Sequence, residues 1–335
     1  MSSHVVVFAV AATVVGVLLF SGPAAAQAPP TPPPQAPAAP ATPQRRLRAS
    51  DVDTMTVSAP GRRIAYGRDS LQFGELRLPP GTGPFPVAVV VHGGCWFSPY
   101  ASVRNTAALA QALTDLGVAT WNVEYRRYDH PGGGWPGTLE DVAGALHHVR
   151  TLATQFPLDT TRVVAAGHSA GAQLSLWLAS RGGGRPATLA VGVPALRLAG
   201  VVSIGGVTDL REFYGRERAT CGNPAVESLL GGMPDSVPAR LREVSPIDRV
   251  PLNVRTIHVA GTADRIAPRS ALDAYATAAR AAGDSVEVIS VPDDGHFEAI
   301  APSRAAGRAV IDAVLRLLAP TKSTPRKDSA SPRPR

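Results

Sequence analysis

Between residues 63 and 318 the chain alternates short apolar runs with amphipathic stretches. The run 86–91 (PVAVVV) has no polar member, which is the pattern of a strand buried on both faces. Runs at 118–123, 162–166, 200–204, 254–259 and 286–291 predict further strands. Segments 63–66 and 71–78 predict antiparallel strands leading into the sheet. Helical patterns lie between the strands. In 141–152, Val142, Ala145, Leu146, Val149 and Leu152 fall on one stripe. Helices are also predicted at 107–116, ended by Gly117, and at 170–179, 270–282 and 303–318. This alternation predicts an α/β fold: a mostly parallel central sheet flanked by helices and joined by right-handed crossovers. The polar, Gly- and Pro-rich stretch 211–245 breaks the rhythm and predicts a small cap or lid segment. In such sheets the functional loops gather at the carboxyl ends of the strands.

The two ends depart from the pattern. An apolar run from Val5 to Phe20 is followed by Gly22-Pro23 and then Ala24-Ala25-Ala26. Apolar core, break and A-x-A is the order of an export signal, here 1–26. The run is short for a membrane span. Its leading segment carries His4 but no Lys or Arg, so an uncleaved N-terminal anchor is the alternative. Residues 27–48 are rich in Pro and Ala and predict a stiff polyproline-like spacer. Residues 321–335 are polar and basic and predict a disordered tail. The domain proper is then 49–320, exported to the periplasm or beyond, with no membrane span left after processing.

Charge and cysteine content narrow the partners. The net charge is +7, but 1–48 contributes +3 and 321–335 contributes +4, so 49–320 is neutral. Nucleic-acid binding needs a basic face on the fold itself, so no nucleic-acid partner is expected. The chain has two cysteines, Cys95 and Cys221. Export permits a disulfide between them, but spacing alone leaves a bridge and two separate thiols both open. There is no C-x-x-C and no H-E-x-x-H, and no metal site is expected.

The sharpest chemical motif is Gly167-His168-Ser169-Ala170-Gly171, set between a predicted strand and a predicted helix. A turn this tight has no room for side chains at 167 and 171, and it holds Ser169 in strained backbone geometry at the top of the sheet. G-x-S-x-G alone is a weak signal; its strand–turn–helix setting strengthens it. His92-Gly93-Gly94-Cys95-Trp96 directly follows the strand 86–91. Glycines there let backbone N–H groups approach a developing oxyanion, and Gly94, Cys95 and Ala170 are the expected donors. A general base must come from the eight histidines. His168 is expected to point away from Ser169, and His258 sits inside an apolar strand as a core residue. His296, in the loop after the last strand, is the expected base. Asp264, after the strand 254–259, is the expected acid, with Asp209 as runner-up. Trp96, Phe97, Tyr100, Trp135, Phe213 and Tyr214 fall in loops near the expected site; lining the substrate pocket, with Trp96, Trp135 and Phe213 foremost, and packing the lid are both open.

Together these residues resemble the α/β-hydrolase superfamily. Within it they resemble the H-G-G-x-W esterase and lipase branch, which includes BD-FAE-type feruloyl and acetyl esterases and kynurenine formamidase-like hydrolases. Tyr125-Arg126-Arg127, Trp135-Pro136, Leu230-Gly231-Gly232, Ser245-Pro246 and Gly295-His296-Phe297 belong to the resemblance. Cys95 stands where the hormone-sensitive-lipase type has a third glycine. The resemblance implies cofactor-free hydrolysis through an acyl-enzyme, with Ser169, Asp264 and His296 as triad. The implied substrate is a small-molecule or carbohydrate-linked ester of a small acyl group. Alternatives are a prolyl-oligopeptidase-like peptidase, an arylformamidase, and, of another class, a non-catalytic binding protein on a hydrolase scaffold. Only a short stretch precedes the domain, too little for the propeller of the first.

Overall fold

The computed structural model describes residues 45–182 and 188–320. The expected export signal, the spacer up to residue 44 and the tail 321–335 lie outside the described residues. Eight strands form one sheet: β1 (Arg62–Ala65), β2 (Phe73–Arg77), β3 (Phe85–Val91), β4 (Ala119–Val123), β5 (Leu158–His168), β6 (Gly200–Ile204), β7 (Arg255–Gly261) and β8 (Val286–Val291). Their spatial order is β1-β2-β4-β3-β5-β6-β7-β8. The pairs β1/β2 and β2/β4 are antiparallel; every other neighbouring pair is parallel. This is the α/β-hydrolase fold.

The helices are α1 (Ala49–Asp53), α2 (Ala107–Asp115), α3 (Gly137–Leu152), α4 (Ala170–Ser180), α5 (Leu210–Tyr214), α6 (Glu217–Cys221), α7 (Ala225–Leu230), α8 (Pro238–Val244), α9 (Arg269–Ala281) and α10 (Ala305–Leu318). They cover both sheet faces, which explains the uninterrupted apolar runs. Successive strand residues point to opposite faces. Val87, Val89 and Val91 of β3 enter the layer with α3 and α4, while Ala88 and Val90 enter the layer with α2 and α10. In β5, Val163 and Ala165 face the first layer and Val164 and Ala166 the second.

The structure refines the expected elements in several places, among them α3, which begins at Gly137 rather than 141. β5 begins at Leu158 rather than 162, because its mixed first residues pair at the sheet margin before a register shift between Phe85 and Val87. The four short helices α5–α8 occupy the expected cap, and Leu229, Leu230, Leu241 and Val244 merge with the α3/α4 layer. The cap is thus packed onto the main core. Helix α1, five residues long, was too short to show a period. Val52 anchors it in the α2/α10 layer, and the Leu47 N–H donates to Glu298 Oε1 at 2.5 Å. Residues 45–48, expected in the spacer, therefore belong to the folded body.

Candidate active site

Strand β5 and helix α4 meet at Ser169, whose backbone lies at φ 56° and ψ −118°. A residue bearing a side chain is held there only when its surroundings demand it, at a cost of about 1–3 kcal/mol. The Ser169 N–H donates to the Ile204 carbonyl at 2.8 Å, tying the turn to β6. The flanking glycines are steric requirements. A Cβ on Gly167 would stand 2.1 Å from the Gly171 carbonyl oxygen, and one on Gly171 would stand 2.2 Å from the Val91 carbonyl oxygen.

Asp264 follows β7 and His296 follows β8, and the structure brings the two together. His296 Nδ1–H donates to Asp264 Oδ2 at 2.8 Å, which leaves Nε2 as the basic nitrogen. Asp264 Oδ1 accepts from the N–H groups of Ile266 and Ala267 at 2.8 and 2.9 Å. Burial alone would raise the pKa of this carboxyl; the His296 ring and the two backbone donors outweigh burial and hold it below the usual carboxylate range. Gly205, at φ 51°, leaves room for the pair. A Cβ there would stand 2.9 Å from Asp264 Oδ2 and 3.0 Å from His296 Nδ1. Gly205 was not singled out in the sequence; its place at the end of β6 was the available signal.

His168, expected to point away from Ser169, packs against His296. Its Nε2–H donates to the His296 carbonyl at 3.2 Å, and the two rings lie 4.4 Å apart. The turn places Ser169 above the sheet but leaves its neighbour's ring beneath the His296 loop. Burial, reinforced by His296, pushes the His168 pKa well below the ordinary histidine value, so it remains neutral. Asp209, the runner-up acid, caps α5: its Oδ1 accepts from Arg211 N–H at 2.8 Å and Glu212 N–H at 3.2 Å. His258 is fully buried in β7 against Tyr275.

The loop after β3 carries three successive residues at positive φ: Gly94 at 96°, Cys95 at 51° and Trp96 at 54°. Among the described residues, the N–H groups of Gly94, Cys95 and Ala170 donate to no protein acceptor. Ala170 is the first residue of α4, where N–H groups lack intrahelical partners. A buried network supports this loop from below. His92 Nε2 lies 2.9 Å from Glu124 Oε1, Arg127 also pairs with Glu124, and the Tyr125 hydroxyl donates to the His92 carbonyl at 2.9 Å. Burial would raise the Glu124 pKa, but His92 and Arg127 reverse this and hold it at about 2. Cys95 is bridged to Cys221 at the end of α6, with Cα atoms 6.2 Å apart.

These groups surround a cavity of about 500 Å³, lined among others by Ser169, His296, Cys95, Tyr100, Ser50 and Ile266. Of the two readings of the aromatic residues, Trp96 and Phe213 follow packing under the cap and do not line the cavity. Trp96 is fully buried, with its Nε1–H donating to Gln173 Oε1 at 3.1 Å, and Phe213 packs edge-on against it. The positive φ at Trp96 turns this ring inward, beneath the loop. Trp135 lies under the Arg240 guanidinium, 5.4 Å from ring to cation, outside the cavity. Tyr100, noted in the sequence, does line the cavity, together with Phe297 and, from α1, Ala49, Ser50 and Asp53. No sequence signal connected α1 with the site.

Comparison with known proteins agrees with this architecture. Esterase LipC of Mycobacterium tuberculosis is 29% identical over 242 residues, 70% of this chain and 59% of that protein. The chain thus spans less than two thirds of the length of this curated relative. A truncated carbohydrate esterase from gut microbiota superposes with a TM-score of 0.65 at 21% identity, covering 78% of this chain and 97% of that one. Esterase B of Lactobacillus rhamnosis, solved in an inhibited form, gives 0.67 at 16% identity, covering 79% and 88%. These structures share the fold. Residues 75–275 match the BD-FAE family, more than half of the chain, and the chain belongs to that family of α/β-hydrolases.

Proposed function

We propose that the chain hydrolyses carboxylic esters of small acyl groups through a serine acyl-enzyme. The observation that carries this is the buried Asp264–His296 pair, whose imidazole faces the same cavity as the strained Ser169. His296 Nε2 takes the Ser169 proton as Oγ attacks the acyl carbonyl. The oxyanion that forms lies against the N–H groups of Gly94, Cys95 and Ala170. His296 then protonates the leaving alcohol, and water, deprotonated by His296, releases the acid and restores Ser169. Asp264 remains ionised and stabilises the imidazolium. The esterase names of the relatives support ester over amide substrates, and the carbohydrate esterase extends the substrate class to sugar-linked esters.

A hydrolysis panel tests this: p-nitrophenyl esters of increasing acyl length, acetylated xylan, methyl ferulate, an N-formyl aryl amine and an aminoacyl amide. Turnover of short esters, lost in Ser169→Ala, is the expected result. Turnover confined to the amides would overturn it. We also propose export, supported by the pattern of 1–26 and by the disulfide, which persists in oxidising compartments. N-terminal sequencing of the mature protein should begin after Ala26; a membrane-bound chain beginning at Met1 would point to an anchor instead.

A further inference from the structure

We infer that the Cys95–Cys221 bridge positions an oxyanion donor, so that turnover depends on the bridge being oxidised. The inference rests on the acyl-enzyme chemistry proposed above. Cys95 lies at φ 51° between Gly94 and Trp96, also at positive φ. Both neighbours are held by other contacts. The Gly94 carbonyl accepts from Phe97 N–H at 2.9 Å. Trp96 is fixed at its carbonyl by Tyr128 N–H, at 3.0 Å, and at its ring by Gln173. Cys95 itself makes no hydrogen bond among the described residues, and its N–H must stay free to meet the oxyanion. Its side chain is bound only through the disulfide. A side-chain-bearing residue in the left-handed region relaxes unless it is held there. The turn closed by Phe97 N–H on the Gly94 carbonyl spans Cys95, and the bridge is the one bond that fixes its side chain within that turn.

The other end of the bridge is equally defined. Cys221 is buried at the end of α6, and Gly222 closes that helix at φ 71°. The Cys221 carbonyl accepts from the Tyr100 hydroxyl at 2.7 Å. The oxyanion loop and the cap are therefore joined twice, and Cys95, Tyr100, Thr220 and Cys221 all line the cavity. Sequence positions 95 and 221 hold the chain's entire cysteine content, so reduction has one site of action. With dithiothreitol, one thiolate attacks Cys221 Sγ and expels the Cys95 thiolate. The second thiol then closes on the first, giving two protein thiols and the cyclic oxidised reagent, a two-electron exchange.

The test is turnover of p-nitrophenyl acetate by the full chain before reduction, after reduction, and after reoxidation. Thiols are counted in each state, and near-ultraviolet circular dichroism follows the fold. Reduction should lower kcat at least 10-fold with a much smaller change in KM, since the donor acts mainly in the transition state. Reoxidation should restore it. Cys221→Ser should be equally slow and insensitive to dithiothreitol. A fully reduced, folded enzyme with unchanged kcat would overturn the inference. So would loss of activity only in step with loss of fold, in both the reduced protein and Cys221→Ser, since the bridge would then be a stability staple alone. If the oxidised chain hydrolyses no ester, it is the proposed function that fails, and the two failures are distinct.

Discussion

At the scale of single residues, two carboxylates at similar strand ends do different work. Asp264 is saturated by His296 and two backbone donors, whereas Asp209 caps a short helix. Asp264→Asn should lower kcat on the order of 10⁴-fold by favouring the wrong imidazole tautomer. Asp209→Asn should leave turnover within about twofold, because Asn caps a helix as well as Asp. Parallel kinetics on the two folded variants decide between them, and the reverse ranking would reassign the acid. His258 supplies a second residue-level prediction. It is buried with neither ring nitrogen hydrogen-bonded, and burial, with Arg280, depresses its pKa to about 3. The unfolded chain takes up this proton near the ordinary value of about 6.5, so the unfolded state gains protons first as pH falls. Stability is therefore complete above that value and declines toward the folded pKa, by about 3 kcal/mol between pH 6.5 and pH 4. In urea unfolding across that range, His258→Phe should show a correspondingly shallower decline.

At the scale of elements, the site is assembled from loops that different contacts hold. The loop carrying His296 and the segment before α1 share one buried carboxylate. Glu298 Oε1 accepts from Leu47 N–H, and Oε2 accepts from Gly295 N–H at 3.1 Å. Glu298→Ala would orphan both donors, each worth about 1–3 kcal/mol when buried. Chemical denaturation should therefore show a loss of about 2–6 kcal/mol. Because α1 forms part of the cavity wall, the same variant should shift preference toward longer acyl chains; an unchanged chain-length profile would separate α1 from substrate selection. The element scale also marks where the sequence was least legible. Helix α1 has no room for a period, and the partner of Cys95 lies 126 residues away. The inward turn of Trp96 and Phe213 depends on how the cap packs, which no local pattern records.

At the scale of the whole molecule, the sheet brings the candidate groups to one edge. The H-G-G loop leaves β3, Ser169 leaves β5, Gly205 leaves β6, Asp264 leaves β7 and His296 leaves β8. That much was legible, because buried strands announce themselves as apolar runs and the loops at their carboxyl ends follow from chain order. The elbow was legible for a further reason: its residues are contiguous between a strand and a helix, and the clash a Cβ would meet at Gly167 is with Gly171 of the same turn, while the clash at Gly171 is with Val91 at the end of β3 and with His92. The pocket walls were not, since they come from segments such as α1 and α6 that meet only after folding. This arrangement is proposed to make Ser169 a nucleophile. Its most direct test is intact and peptide-mapped mass spectrometry after treatment with a fluorophosphonate. One stoichiometric adduct on the peptide bearing Ser169, absent from Ser169→Ala, is the expected result. No adduct on the folded protein, or an adduct that persists in Ser169→Ala, would contradict it.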